Sequence, residues 1–132
     1  MIRIVLVDDE PAVRRGLKMR LELTREMQVV GEVGDGAAAL GQIMELAPDV
    51  VIMDIELPGC DGISVTRMVC AKTANIGIVI LSMHDDPETR ARAIAAGAAK
   101  FVSKHEGTET LLRAIREALA PESGKEASDK LK

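Results

Sequence analysis

The chain has 132 residues, a formal net charge of −4 at pH 7 and hydrophobic side chains at 47% of its positions. This length predicts one domain, large enough to bury a core without disulfides or a structural metal. Phe101 is the only aromatic residue, and the acidic balance gives no basic footprint, so both features argue against binding to nucleic acid.

Cysteine spacing and hydropathy place the protein in the cytoplasm. Cys60 and Cys70 show neither C-x-x-C nor zinc-type spacing and are predicted to be reduced thiols. The N-terminus does not resemble a signal peptide, and no apolar run approaches the roughly 20 residues that span a bilayer. We interpret one basic cluster as a solvated helix face, with a protein-docking face as the alternative: Arg14, Arg15, Lys18 and Arg20.

The first half of the chain is predicted to alternate strand, helix, strand, helix. Ile2–Val7 is almost entirely β-branched or Leu and predicts a strand, and Pro11 suits the first turn of the helix after it. Residues 29–33 predict a second, weaker strand. Residues 37–47 predict a helix that ends at Pro48, with Leu40, Ile43, Met44 and Ala47 at helical spacing.

The second half repeats the pattern three times. We predict strands at 50–54, 76–81 and 99–102, and helices at 61–73, at 87–96 and from Thr108 to Pro121. Residues 121–132 are polar and are predicted to be a tail or a truncated linker, so the domain is expected to span 1–120. Strands joined by single helices predict a parallel sheet, which binds ligands beyond the carboxyl ends of its strands.

Polar side chains follow four of the predicted strands. They are Asp8 and Asp9, Asp54, Ser82, and Lys104. Because the carboxyl ends of parallel strands meet at one edge of a sheet, we expect these side chains to share one cleft. Three carboxylates, a hydroxyl and an ammonium suit a divalent metal and a phosphoryl group.

The chemistry of each residue type supports that reading. Asp8 and Asp9 repel each other unless a cation intervenes, and Mg²⁺ takes such hard oxygen ligands. The carboxylate of Asp54 can act as a nucleophile toward phosphorus. The Ser82 hydroxyl and the Lys104 ammonium can bind phosphoryl oxygens. The alternatives are a helix-capping acid pair, a turn-capping Asp54 and ordinary loop residues.

Over residues 1–120 the chain resembles the receiver domain of two-component response regulators. The order and spacing of a few positions carry the resemblance: Asp8-Asp9, Met53-Asp54, Pro58, Gly62, Ser82, Phe101 and Lys104. The stretches LSMHDD (81–86) and AAGAAKFVSK (95–104) are similar to the subfamily with a LuxR-type helix-turn-helix output domain. The resemblance implies a flavodoxin-like (βα)5 three-layer α/β domain with a parallel five-stranded sheet in the order 2-1-3-4-5.

The resemblance also implies roles for the site residues. Asp54 would accept a phosphoryl group from the phosphohistidine of a sensor histidine kinase. Mg²⁺, with Mn²⁺ as the alternative, would be held by Asp8, Asp9, Asp54 and the backbone carbonyl of Glu56. Ser82 and Lys104 would bind the phosphate, and Phe101 would swing inward as the site fills.

Further expectations concern the whole protein. It would be a phosphoacceptor switch that controls transcription and not an enzyme. It would dimerise through the fourth helix, last strand and fifth helix, or through the first and fifth helices. It would contact DNA only through an output domain that residues 1–132 do not contain, and it would not bind membranes.

Three positions depart from the family pattern. His105 stands where many relatives have a proline after a cis peptide, and we expect a trans bond because a cis bond before His costs about 3 kcal/mol. Glu56 places a further acid near the phosphate, and His84 is placed to contact the attacking water, so both are predicted tuning positions. The alternative for Glu56 and His84 is a pair of solvated loop residues.

Three rival functions remain open on the sequence. A phosphatase with an Asp nucleophile would use Asp54 with Glu56 two residues on, similar to haloacid dehalogenases, but it leaves Asp8-Asp9 unexplained. A flavodoxin-like cofactor binder would need a hydroxyl- and glycine-rich loop after the first strand. A degenerate receiver would serve only as a protein-binding module, but every key side chain is present.

Overall fold

The protein folds as a five-stranded parallel sheet with the strand order β2-β1-β3-β4-β5, which confirms the predicted fold. The computed structural model describes residues 1–131, with side chains as far as Leu119. The strands are β1 Ile2–Val7, β2 Met27–Val33, β3 Val50–Met53, β4 Gly77–Ser82 and β5 Lys100–Ser103. The helices are α1 Pro11–Glu22, α2 Gly36–Leu46, α3 Gly62–Lys72, α4 Pro87–Ala95 and α5 Thr108–Leu131.

Two hydrophobic layers cover the two faces of the sheet. Alternate residues of each strand point to opposite faces, so Val5 and Val7 pack towards α2, α3 and α4, whereas Ile4 and Leu6 pack towards α1 and α5. The four residues of β3 are all buried, as expected for a central strand with helices on both sides. The same alternation decides which side chains reach each side of the carboxyl edge.

Aspartates that accept a hydrogen bond from the first helical turn begin three of the helices. Asp35 Oδ1 lies 2.7 Å from the amide of Ala38, and Asp61 Oδ1 lies 2.9 Å from that of Ser64. Asp86 repeats the contact at the start of α4. These caps satisfy amides that have no partner within the helix, which explains why each helix starts where its strand-end loop stops.

Two details of the helices differ from the sequence predictions. The prediction that Pro121 ends the last helix is wrong, because α5 continues to Leu131. A proline disfavours the interior of a helix, and the residues after it include Ser123 and Gly124, so local propensity does not account for this continuation. In α2 the buried side is formed by Gly36, Ala39 and Ile43, whereas Met44 is 36% exposed.

Two further expectations are borne out along the described residues. Every peptide bond there is trans, including Lys104–His105. Cys60 and Cys70 are both free thiols. No helix of this part of the chain is both long and apolar enough to cross a membrane. The division at residue 120 into a domain and a tail stays a prediction.

Candidate functional site

Three carboxylates converge at the carboxyl edge of the sheet. One oxygen from each of Asp8, Asp9 and Asp54 lies within 4.8 Å of the other two. Asp8 and Asp54 are 3% and 8% exposed, whereas Asp9 is exposed. Neighbouring strands place them, because β1 pairs directly with β3 and Val7 lies opposite Met53. The predicted meeting of the strand ends is therefore observed for the acidic residues.

Lys104 joins two of these carboxylates. Its Nζ lies 3.0 Å from Asp8 Oδ2 and 3.2 Å from Asp54 Oδ2. The remaining oxygens of the two acids accept backbone amides, since Glu10 donates to Asp8 Oδ1 and Ile55 donates to Asp54 Oδ1. Asp9 takes part in no hydrogen bond or ion pair with the side chains described, those of residues 1–119, so it is the carboxylate left open there.

The charges of the site perturb its proton affinities. Burial raises the pKa of Asp54, and the neighbouring Asp8 charge adds to this effect, while Lys104 opposes both. Burial alone would lower the pKa of Lys104, but its hydrogen bond to Asp8 and the charges of Asp54 and Asp8 raise it overall. The ammonium therefore stays charged at neutral pH, and ionising Asp54 costs folding free energy.

The Asp54→Asn variant should gain stability relative to the parent as the pH rises. A raised pKa means that the folded state binds the Asp54 proton more tightly than the unfolded state does. The stability that this proton contributes is fully present below the ordinary pKa of 3.8 and is lost as the pH rises through the raised pKa of Asp54. Asparagine does not ionise and loses no such contribution. From acidic to neutral pH, the free energy of unfolding of the variant should therefore rise relative to that of the parent.

Urea unfolding of both proteins across this range, with a chelator to exclude metal, measures the difference. A difference that does not change with pH, or that moves in favour of the parent, contradicts the assignment.

Glycines fix the backbone after β3 and hence the position of Asp54. A Cβ added to Gly62 would overlap the carbonyl oxygen of Asp54 and lie 2.8 Å from its carbonyl carbon. The amide of Gly62 also donates to the carbonyl of Ile55 at 2.8 Å. At Gly36 an added Cβ would overlap the carbonyl oxygen of Cys60. The loop that carries Asp54 is thus pressed directly against the starts of α2 and α3.

Ser82 and Phe101 lie on one side of the neighbouring strands β4 and β5. Ile80 pairs with Phe101 and Ser82 pairs with Ser103, so period-two alternation puts Ser82 and Phe101 on the side of α4. The buried hydroxyl of Ser82 accepts the amide of His84 at 3.0 Å. Among the described residues no hydrogen bond joins it to Asp54, so Ser82 ends the strand next to β3 without a hydrogen bond to the acidic cluster.

Glu56 and His84, in the loops that follow β3 and β4, contact each other. Nε2 of His84 bonds to Oε1 of Glu56, with side chains 57% and 70% exposed. Each residue was predicted to lie near the site, but their pairing was not predicted. The spacing of the two residues could have predicted the pairing, because β3 and β4 are neighbours in the sheet. Glu56 lies two residues after Asp54, and His84 lies two residues after Ser82.

Arg14 is a second residue that the sequence analysis missed. Its Nη1 donates to the backbone carbonyl of Asp8 at 2.6 Å, and its Nε lies 3.3 Å from Glu32 Oε1. The side chain is only 18% exposed, so the interpretation of Arg14 as part of a solvated basic face is wrong. The position on α1 faces the end of β1, and that proximity outweighs the tendency of Arg to face water.

The doubly wound parallel sheet, with an acid–lysine cluster at its carboxyl edge, defines a flavodoxin-like α/β protein. Residues 4–116 match the family model described as the response regulator receiver domain, and the chain belongs to that family. It is therefore a receiver domain of the kind found in two-component response regulators.

Two bacterial regulatory proteins are similar to this chain over most of its length. The transcriptional regulatory protein LiaR of Bacillus subtilis is 36% identical over 118 residues, which cover 89% of this chain and 56% of LiaR. The response regulator UvrY of Escherichia coli is 37% identical over 116 residues, covering 88% of this chain and 53% of UvrY. The chain thus spans about half the length of these relatives.

A solved structure agrees with the subfamily resemblance. The LuxR-family two-component response regulator from Aurantimonas sp. SI85-9A1 superposes with a TM-score of 0.87 at 34% identity, covering 100% of this chain and 99% of that one. The similarity to the LuxR-type subfamily, drawn from two short stretches of sequence, is confirmed by this match.

Proposed function

We propose that Asp54 accepts a phosphoryl group from the phosphohistidine of a sensor histidine kinase and that this change switches the domain. The observation that carries the proposal is the convergence of Asp8, Asp9, Asp54 and Lys104 in one cleft. Phosphoryl transfer depends on positioning and charge neutralisation, and this cleft supplies a nucleophile, an ammonium and an open carboxylate.

The donor set fits Mg²⁺, with Mn²⁺ as the alternative. Hard carboxylate oxygens within 4.8 Å of one another are the ligands that Mg²⁺ prefers, and Asp8 raises the pKa of Asp54 through a like-charge repulsion that a cation relieves. Asp8, Asp9, Asp54 and the carbonyl of Glu56 are the proposed ligands. A bound Mg²⁺ would supply positive charge to the phosphoryl oxygens.

The residues of the chain account for the remaining requirements. An oxygen of Asp54 forms the new bond to phosphorus while the P–N bond of the phosphohistidine breaks, and the leaving imidazole keeps the electron pair and takes up a proton. Lys104 already lies 3.2 Å from Asp54 and is charged at neutral pH, so it can follow a phosphoryl oxygen. Ser82 would turn its hydroxyl from the His84 amide to another oxygen.

The switch is proposed to pass from Ser82 to Phe101. The two side chains share the α4 side of adjacent strands, so a turn of Ser82 towards the phosphate opens room for the ring. Such a change would alter the surface of α4, β5 and α5, where we propose a homodimer, with α1 and α5 as the alternative. Glu56 and His84, which contact each other, are the proposed tuning residues.

At the level of the whole protein we propose a cytoplasmic transcription regulator that binds DNA through a separate output domain. LiaR is a transcriptional regulatory protein and UvrY a response regulator, and this chain matches about half of each. Residues 1–120 would form the switch and 121–132 the link onwards. The domain would catalyse only its own phosphorylation and dephosphorylation and turn over no other substrate.

Mg²⁺ should stabilise the parent protein and not the Asp9→Asn variant. A ligand at ten times its Kd adds about 1.4 kcal/mol of stability. Asp9 is exposed and unbonded within the described chain, so its replacement should leave the metal-free fold intact. Urea unfolding with and without Mg²⁺ measures the gain, and Asp85→Asn, another exposed acid, is the matched control. Equal gains in parent and Asp9→Asn would contradict the ligand assignment.

The proposed function is tested by intact mass after incubation with a small phosphodonor and Mg²⁺. One phosphoryl group per chain is the expected product, and chelation of the metal should prevent it. A chain that stays unmodified under these conditions contradicts the proposal.

A further inference from the structure

The only phenylalanine of the chain lies under a guanidinium group. Cζ of Arg90 is 4.7 Å from the centroid of the Phe101 ring, within the range of a cation–π interaction. Phe101 itself is half-buried and packs against the core cluster on the α4 side of the sheet, and the Arg90 side chain over it is 39% exposed. The ring therefore lies between the core and an exposed arginine, at the surface formed by α4 and β5.

Two other contacts hold Arg90 in place. Its Nε donates to the carbonyl oxygen of Asp85 at 3.1 Å, just before α4. Its Nη2 lies 3.8 Å from Oε1 of Glu106, in the loop that follows Lys104. A guanidinium fixed from both sides loses little further freedom when it covers the ring, so most of the contact energy stabilises this ring position.

A phenylalanine has no hydroxyl with which to anchor either of its positions by a hydrogen bond. We propose that Arg90 replaces that anchor and acts as a latch, which holds Phe101 at the surface and sets how readily the domain switches. This inference rests on the proposed function, in which Phe101 moves inward as the site fills. Arg90 acts only through Phe101, so it is a positioning residue.

Arg90 favours the state in which the Phe101 ring lies at the surface, because its contact with the ring exists only in that state. An inward ring breaks the contact with Arg90, while the bonds of Arg90 to Asp85 and Glu106 persist. Removing the guanidinium therefore makes the inward ring less costly. A phosphoryl analogue that requires the inward ring should then bind more tightly, because less of its binding energy is spent on the change.

The test compares Arg90→Gln with the parent, and Arg92→Gln, an exposed arginine of the same helix, is the matched control. The probe is beryllofluoride with Mg²⁺, titrated by aromatic NMR. Phe101 is the only Phe, Tyr or Trp of the chain, so its ring signals are free of overlap from other such rings.

In the free Arg90→Gln protein we expect the ring signals to move towards those of the saturated parent. The apparent affinity for beryllofluoride should rise about three- to fivefold, which corresponds to one exposed cation–π contact. Arg92→Gln should match the parent in both measurements.

Two results overturn the latch without touching the proposed function. One is a parent that binds beryllofluoride while Arg90→Gln shows unchanged affinity or unmoved ring signals. The other is an equal gain in Arg92→Gln, which would assign the effect to helix charge. A parent that fails to bind beryllofluoride at all contradicts the proposed function itself.

Discussion

The Asp54→Asn variant is expected to take up no phosphoryl group under conditions in which the parent takes up one per chain. The carboxylate oxygen of Asp54 is the nucleophile, and the amide of asparagine cannot replace it. Intact mass after incubation with Mg²⁺ and a small phosphodonor gives the result directly.

The loss cannot be assigned to unfolding. Replacing Asp54 removes a buried charge whose ionisation costs folding free energy, so the variant is expected to be folded at neutral pH, which its urea unfolding curve checks. The control is Asp85→Asn, which removes an exposed acid and should be phosphorylated like the parent. Phosphate gained by Asp54→Asn to the level of the parent would remove Asp54 from the role of acceptor.

The Gly62→Ala substitution should destabilise the domain by about 3 kcal/mol and displace Asp54. The added Cβ would overlap the backbone carbonyl of Asp54, and neither partner is a flexible side chain that can move aside. The start of α3 must therefore retreat from the strand end, which weakens the Gly62–Ile55 hydrogen bond. Urea unfolding measures the loss, and the phosphodonor assay shows whether the acceptor stays in place.

Gly41→Ala is the matched control for this change. Gly41 also lies within a helix, and an added Cβ there would meet no atom within 4 Å. Alanine stabilises an open helical position by about 0.5–1 kcal/mol relative to glycine. Equal effects at Gly41 and Gly62 would mean that the close approach to Asp54 does not constrain the fold.

The elements of the fold were predictable because strands and helices leave different periodicities. The apolar run of β3 and the capping Asp86 gave boundaries within one or two residues of those observed. The end of α5 was not predictable in this way, since Pro121 removes one donor but does not determine the helix alone. Helical spacing also failed to place Met44, because the buried side of α2 is formed by Gly36, Ala39 and Ile43.

The residues of the candidate site that follow strands were predicted from the sequence. The contacts made by loop side chains were not. Asp8, Asp54 and Lys104 follow strands directly, so parallel geometry alone brings them together. The contact between Glu56 and His84 involves loop side chains, whose directions follow no period. The contact of Arg90 with Phe101 depends on how α4 lies on β5, which neither segment reveals alone.

The ion pair between Lys104 and Asp8 joins residues 96 positions apart in the chain. Its partner Asp54 lies 50 positions before Lys104, so the three side chains meet only after β1, β3 and β5 have all entered the sheet. A contact of such long range carries the entropy cost of closing the whole loop and forms late. Under the proposed function, a chain that has not yet placed β5 in the sheet would therefore lack the assembled cleft and would not accept a phosphoryl group.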